Sequence, residues 1–560
     1  MKKSETVFLI SLILLASIYY IASLIQSIGL EYSYEDSINL GEYKISLEVL
    51  VPEGERVGTI VLIHGILSSR KMLKPLATDL VRVGWRVILV DQIGHGESGG
   101  MYRLKFDDLS NLGYALKKLV NQTEDFRRAL ISYLKDHTEE NEKVVFGGHS
   151  LGGLLSLILA RESEGILNIL ATIGIAPPYI ENVTNASSPR NMLLCVGKYD
   201  EFIPVDDLRK FVNPEYPEIV EVGKITGDFK EGTARKIFLS QYSDHIFEPY
   251  DPTIISEIIR WLDLCLGYTP RNPVILSTPM AALKALCALI GLILVAMMPI
   301  VFADKLGMLS GGKRFPTIKL LKNSLVASMV IWPFLTLIFL AMFIWPMVSL
   351  AGYLGYVMPV LVGGYILVAT LAILISSNYL AGGDIKKTLR KIYIYAKSDL
   401  MRSLFLGALE AIVFLVVLDI TLGDVLIPMI PRTLGRIVIM IPLAMMIFGY
   451  FIFHEYFYRA QIQEILGGKR RRAAILSIGV SLGSKMVVIA AITALIYFIS
   501  PAPAVATAGL VGMLLVAFLT EGLAATSYYA TREILPHAFA SAILWASIAA
   551  SAFPVIHITA

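Results

Sequence analysis

From about residue 270 to its end the chain is a succession of long apolar runs, at about 279–302, 324–349, 356–376, 403–422, 436–457, 475–499, 507–527 and 536–557. Each has the roughly 20 residues that a helix needs to cross a bilayer. Lipid offers the backbone no hydrogen-bond partner, so runs of this kind satisfy their own amides as helices. A further run, VFLISLILLASIYYIASLIQSIGL at 7–30, follows Lys2 and Lys3. It is longer than the apolar region of a signal peptide, and no small-residue cleavage site follows it; a retained anchor is expected, with cleavage the lesser alternative. The 55% hydrophobic content and mean hydropathy of +0.64 exclude a wholly water-soluble protein.

The basic residues between the runs set an orientation. Lys305, Lys313, Arg314, Lys319 and Lys322 fall in one loop, Lys386, Lys387, Arg390, Lys391, Lys397 and Arg402 in a second, and Lys469, Arg470, Arg471 and Arg472 in a third. The positive-inside rule makes these loops cytoplasmic. The alternate segments, AGYLGY, the stretch around GDVLIPMIPRTLG, and PAPAVAT, are poor in lysine and arginine. Lys2 and Lys3 also fall inside, and the acidic EYSYED follows the first run, so the segment between the first two runs is expected on the extracytoplasmic side of the cell membrane. Three sequons, at Asn121, Asn182 and Asn185, lie in that segment. The net charge of +3 comes largely from the cytoplasmic loops, and no basic stripe points to nucleic acid. Three cysteines, Cys195, Cys265 and Cys287, are too few for a disulfide framework. The expected division is an anchor at 1–30, a globular domain at 31–268, and a multi-pass domain of about eight helices at 269–560.

Within the globular segment short apolar runs alternate with helical patterns. GTIVLIHG precedes RKMLKPLATDLVRVG, WRVILVDQIGHGES precedes a helical region reaching about 138, and KVVFGGHS precedes LGGLLSLILAR. This alternation predicts βαβ units and a mostly parallel sheet. The runs are nearly continuous in Val, Ile and Leu, as strands covered on both faces require. Functional groups of such sheets gather at the carboxyl ends of strands.

At one such end stands GGHSLGG, residues 147–153, which places Ser150 in a G-x-S-x-G turn between a strand and a helix. The pattern suits a nucleophile raised on a strained turn, although glycine pairs also let a helix pack closely on a strand. A nucleophilic serine needs a base and an orienting acid. Asp200, in NMLLCVGKYDEFIP, follows an apolar strand, where an ordinary turn aspartate is the alternative reading. His245, in RKIFLSQYSDHIFEPYDP, follows the last strand and precedes the last amphipathic helix. His149, His64 and His95 are competing bases; His149 is adjacent to the serine and should point away from it.

LIHG (62–65), DQIGHGESGG (91–100), GGHSLGG (147–153), VGKYDEFIP (196–204) and SDHIF (243–247) resemble, in order, the landmark segments of the α/β-hydrolase superfamily, in particular its lipase and monoacylglycerol-lipase-like serine hydrolases. The likeness covers about 40–268. It implies an α/β-hydrolase fold, with helices on both faces of the sheet, joined to an α-helical transmembrane bundle. It also implies a catalytic triad of Ser150, Asp200 and His245, with an oxyanion hole made by the N–H groups of Ile66 and Leu151. Asp91, Gly94, His95 and Gly96 are expected to shape a loop. Many members of the superfamily insert a cap before the acid; here only ENVTNASSPR follows APPYI, so a cap is small or absent and the site open.

Ionisable residues within the later apolar runs, Glu410, Asp419, His454, Glu455, Lys485 and Glu521, are costly there unless paired or functional, while Lys284 stands near a run's start. HEYFYRAQIQ, with His454, Glu455 and Arg459, resembles the Glu-Glu-x-x-x-Arg motif of the CAAX-type intramembrane proteases. Here His454 replaces the first glutamate, and Lys485 stands where a partner histidine would fall, so the likeness is read first as chance, then as a relative without catalytic capacity, and last as an active protease.

The expected function is a membrane-embedded serine hydrolase that cleaves an ester or thioester of a lipid-like acyl substrate through an acyl-enzyme, with no metal or organic cofactor. The lipid bilayer is its other partner, and the sequence does not define an oligomeric state. A serine peptidase or an acyltransferase on the same triad is the alternative enzyme. A membrane transporter or scaffold with a vestigial hydrolase domain is the alternative of another class.

Overall fold

The computed structural model describes residues 2–105, 107–108, 111–305, 331–343, 346–347, 357–380, 385–423, 428–467, 471–499, 503–552 and 555–559. Parts of the expected runs at 324–349 and 356–376, the segment AGYLGY, the start of PAPAVAT, and Lys313, Arg314, Lys319, Lys322, Lys469 and Arg470 lie outside the described residues.

A helix α1 (Lys3–Gln26) leads into a hairpin of β1 (Leu30–Leu40) and β2 (Tyr43–Pro52). Then follow β3 (Gly58–Ile63), α2 (Lys74–Arg82), β4 (Trp85–Val90), the short β5 (Tyr102–Lys105), α3 (Leu112–Asn121), α4 (Glu124–His137) and β6 (Lys143–His149). The unit is completed by α5 (Leu151–Glu162), β7 (Asn168–Ile175), β8 (Met192–Gly197), α6 (Val205–Val212), β9 (Arg235–Ser240) and α7 (Pro252–Cys265). Eight strands form one sheet in the order β1-β2-β4-β3-β6-β7-β8-β9. The β1–β2 and β2–β4 pairs are antiparallel and the rest parallel. This is the α/β-hydrolase fold.

Every residue of β3, β4 and β8 is buried, which is what their unbroken apolar runs require. One face of the sheet packs with Leu76, Leu80, Ile254, Ile258 and Trp261 of α2 and α7, the other with Phe126, Leu130, Leu154, Leu157 and Phe211 of α4, α5 and α6. No helix or strand separates β7 from β8, so the sheet carries no inserted cap at that point.

Beyond α7 most of the described residues are helical. Five described helices are long and apolar enough to cross a membrane: Lys3–Gln26, Ser277–Val301, Leu400–Leu418, Leu434–Gln463 and Arg471–Ala491. Shorter apolar helices span Ile331–Phe343, Gly364–Ser376 and Leu535–Ser551. The last departs from the sequence reading, which carried a membrane run to 557. The helix ends by Ala552, and β10 (Ile556–Thr559) pairs in parallel with β5, Ile556 opposite Tyr102 and Thr559 opposite Lys105. The Ile-His-Ile alternation is a half-buried strand pattern, hidden in the sequence because it continues an apolar helix without a polar break.

The costly charges of the helical part are paired. Glu410 meets His537 at 2.8 Å, and Asp419 meets Arg432 at 3.1 Å. His454 lies 3.0 Å from Glu455 and 3.1 Å from Glu521, and Glu521 also holds Arg459 and Lys485. Lys284 is buried, with its ammonium 3.3 Å from the Gln26 side chain and over the ring of Tyr19.

Candidate active site

The end of β6 and the start of α5 leave a single residue, Ser150, to reverse the chain, and it does so at φ 54° and ψ −125°. This is a conformation that a side-chain-bearing residue adopts only under strain. Its amide donates to Ile175 O at 2.8 Å, and its carbonyl accepts from Leu154 at 3.1 Å, which fixes the turn on both sides. The flanking glycines are a packing requirement. A Cβ on Gly152 would lie 2.0 Å from Ile63 O and one on Gly148 2.5 Å from the same atom, so neither tolerates a side chain. A Cβ on Gly65 would come within 2.9 Å of the Ser150 Cβ, so the turn after β3 sits directly against the serine.

That turn continues into Ile66. Leu151 opens α5, where the first N–H groups of a helix have no intrahelical acceptor. The two residues expected to supply an oxyanion hole therefore both adjoin Ser150, one through Gly65 and one through the chain itself.

Asp200 follows β8 and is enclosed. Its Oδ1 accepts from the amides of Phe202 at 2.7 Å and Ile203 at 2.9 Å, leaving Oδ2 for Nδ1 of His245 at 2.8 Å. Burial pushes the carboxyl up, but these hydrogen bonds and the imidazole outweigh it and hold Asp200 below the usual carboxylate value. His245, after β9, has Nε2 3.0 Å from Ser150 Oγ. The ring packs against Phe202 with centroids 5.1 Å apart. The three side chains, from three loops spaced across the sheet, form one unbroken hydrogen-bonded line.

The competing histidines are engaged elsewhere. His149 Nε2 bonds the carbonyl of His245 at 2.8 Å, so its ring lies under the loop that carries His245. His64 spans Gly65 O at 2.6 Å and the Gln92 amide at 3.1 Å, and His95 lies 2.9 Å from Ile93 O. Burial holds all three neutral, with His64 lowered to about 4 and His95 and His149 to about 3. Asp91 shapes the 91–100 loop by accepting from the Arg70 amide at 2.7 Å, the Arg70 guanidinium at 2.5 Å and the Glu97 amide at 2.9 Å.

Two residues escaped the sequence reading. Arg70, 1% exposed, ties Asp91 to Glu97 and Glu35. Glu248 is wholly buried behind the line, with Oε1 accepting from the Gly197 amide at 2.5 Å. His149, His245 and Glu248 bring ligand-type atoms within 4.8 Å of one another, but His245 commits both ring nitrogens to Asp200 and Ser150, and His149 commits Nε2 to the His245 carbonyl.

The family pattern described as serine aminopeptidase, S33, matches residues 54–212, a stretch that includes Ser150 and Asp200 and stops short of His245. The N-terminal part thus has the α/β-hydrolase fold and is similar in sequence to serine hydrolases. It is 27% identical over 187 residues to a monoacylglycerol lipase of Mycolicibacterium smegmatis, covering 33% of this chain and 61% of that protein. It is also 27% identical over 207 residues to a proline iminopeptidase of Saccharolobus solfataricus, covering 36% and 59%. The chain thus spans about three fifths of the length of these curated relatives. Among solved structures, an alpha-beta serine hydrolase homologue from Coxiella burnetii aligns at 19% identity and a TM-score of 0.29, covering 42% of this chain and 96% of that one.

Proposed function

We propose that the α/β-hydrolase domain is a membrane-tethered serine hydrolase that cleaves esters or thioesters of lipid-like acyl substrates. The observation that carries this reading is the continuous line Asp200–His245–Ser150, with contacts of 2.8 and 3.0 Å. Ser150 Oγ attacks the acyl carbon while His245 Nε2 takes its proton, and Asp200 holds the imidazole through Nδ1 and stabilises the imidazolium. The N–H groups of Ile66 and Leu151 receive the oxyanion. His245 then returns the proton to the leaving alcohol or thiol, and water repeats the sequence on the acyl-enzyme.

A lipid-like acyl group fits the surroundings of Ser150. No cap is inserted before β8, and residues next to the site in sequence are apolar and exposed: Leu67 at 42%, Tyr199 at 59% and Phe247 at 58%. Loops at the carboxyl edge of the sheet also touch the apolar helices. Gly94 O accepts from Arg436 at 3.0 Å, and Tyr250 O accepts from Thr278, at the start of Ser277–Val301, at 2.7 Å. With the extracytoplasmic orientation that the loop charges favour, the substrate would enter from the outer leaflet.

A peptidase reading is favoured by the family description and by the proline iminopeptidase relative. The two separate in one assay. Full-length protein in lipid vesicles is given a monoacylglycerol, an acyl thioester and an N-terminal prolyl amide, beside Ser150→Ala. Release of fatty acid that is lost in the variant supports the lipid reading; turnover of the prolyl amide alone replaces it with the peptidase reading.

A further inference from the structure

Glu248 is a buried carboxyl that the proposed reaction does not use. It opens a 3-10 turn, Glu248–Tyr250, just after His245, and is 0% exposed. Its Oε1 is held by the Gly197 amide at 2.5 Å. Its Oε2 is enclosed and, among the described residues, receives no N–H or O–H. Nε2 of His149, 3.5 Å from it, has its proton committed to the His245 carbonyl at 2.8 Å. An ionised oxygen so placed would be a buried charge without a donor, which an enclosed site strongly disfavours. The Glu248 carboxyl lies beside the triad, with one oxygen within 4.8 Å of a His245 ring nitrogen, and its side-chain neighbour there is an acceptor, the carboxylate of Asp200.

We propose that Glu248 is a protonated carboxylic acid that donates a hydrogen bond to Asp200, and so positions the acid of the triad. Asp200 then receives the amides of Phe202 and Ile203 on Oδ1, His245 on Oδ2, and the Glu248 proton as a further donor. This arrangement rests on the triad reading above. Two carboxyls this close cannot both ionise in an enclosed site, and the environment separates them: Asp200 has the cationic partner and the amides, Glu248 has one amide. Burial first, and then the Asp200 charge, push the Glu248 carboxyl well above its usual value, while Asp200 is held below its own. The other groups that face Glu248 are Asp244, which acts in the same direction, and the neutral His149 and Cys195. The extra donor draws charge from Asp200 and fixes the plane of its carboxylate, and hence the direction of the His245 ring.

Glutamine is the neutral isostere of a protonated glutamate: it accepts from Gly197 and donates to Asp200. The test compares wild type with Glu248→Gln and Glu248→Ala by infrared spectroscopy in ester-free detergent, together with the pH dependence of fluorophosphonate labelling and of kcat and KM on a soluble ester. The expected result is a protonated-carboxyl stretch at neutral pH in wild type that Glu248→Gln removes, and labelling by Glu248→Gln within about twofold of wild type with an unmoved acid limb. Glu248→Ala should lose about tenfold in kcat with KM little changed, the scale of one misplaced donor at a positioned base. If the wild type shows no such band, or if Glu248→Gln moves the acid limb as removal of a negative charge would, Glu248 is ionised and the inference is wrong. If the wild type does not label at all, the fault lies with the triad reading itself.

Discussion

Arg432 donates to Glu97 at 2.5 Å across 335 residues of chain, and the same guanidinium holds Asp419 at 3.1 Å. Glu97 in turn meets Arg70, which holds Asp91 at the carboxyl end of β4. Four residues further on from Arg432, Arg436 donates to Gly94 O at 3.0 Å and to Ala550 O at 2.7 Å. The loop at 91–100 is thus held on one side by the hydrolase domain and on the other by the apolar helices and the chain end.

This clamp is testable by exchange. Arg432 is partly exposed, so Arg432→Ala should change stability by less than about 1 kcal/mol. Arg436 is buried, and Arg436→Met should cost about 1–3 kcal/mol through the loss of its bonds to the Ala550 and Ser551 carbonyls, while Gly94 O keeps the Val555 amide. Amide hydrogen exchange should accelerate at Tyr102 and Val555, whose bonds join β10 to the loop. Unchanged protection there would mean that the strand pairing holds by itself.

The glycines of the serine turn make a second prediction. Gly152→Ala would place a methyl 2.0 Å from Ile63 O and 2.4 Å from His64 O, both backbone atoms that cannot step aside cheaply. The expected cost is about 3 kcal/mol, at the upper end of overpacking, read as a lowered Tm together with loss of labelling.

Strain at Ser150 makes a third. At φ 54° a glycine is more at ease than a serine, so Ser150→Gly should be inert yet more stable than wild type by about 1 kcal/mol. A stability below that of Ser150→Ala would argue that the turn is relaxed.

Acid stability follows from the three neutral histidines. An unfolded histidine binds its proton near pH 6.5, but His64 does so in the fold only near 4, and His95 and His149 near 3. Between those values the unfolded chain holds more protons than the folded one, so stability falls as pH drops, by up to about 1.4 kcal/mol per pH unit for each histidine. Asp200, held low in the fold, adds to the loss only below the usual carboxylate range. Thermal unfolding between pH 7 and 4 should show a steep fall that His95→Gln, if it folds, makes shallower; a flat curve would contradict the buried neutral state.

Much of this site could be read from residue order. Ser150, Asp200 and His245 each follow a strand with an apolar centre, so the parallel sheet alone delivers them to one edge, and the glycines around Ser150 announce the close approach to β3. Glu248 could not be read in this way. A Glu-Pro before a helix looks like an ordinary acidic start, and only the fold reveals that it is buried behind the triad on the Gly197 amide. The clamp was equally hidden, because Arg432 and Glu97 become partners only through a return of the chain that no local pattern encodes. The same holds for β10, a strand of four residues continuous with an apolar helix.

In the proposed reaction Ser150 is a nucleophile activated by His245. The measurement that tests it most directly is labelling of the purified full-length protein by a fluorescent fluorophosphonate, with the modified residue located by peptide mass spectrometry, beside folded Ser150→Ala and His245→Ala variants. A single adduct on Ser150 is expected, absent from Ser150→Ala and slowed by at least about a hundredfold in His245→Ala, the lower range for loss of a general base. A folded wild type that stays unlabelled while a soluble serine hydrolase in the same detergent reacts, or an adduct that persists unchanged without His245, would contradict it.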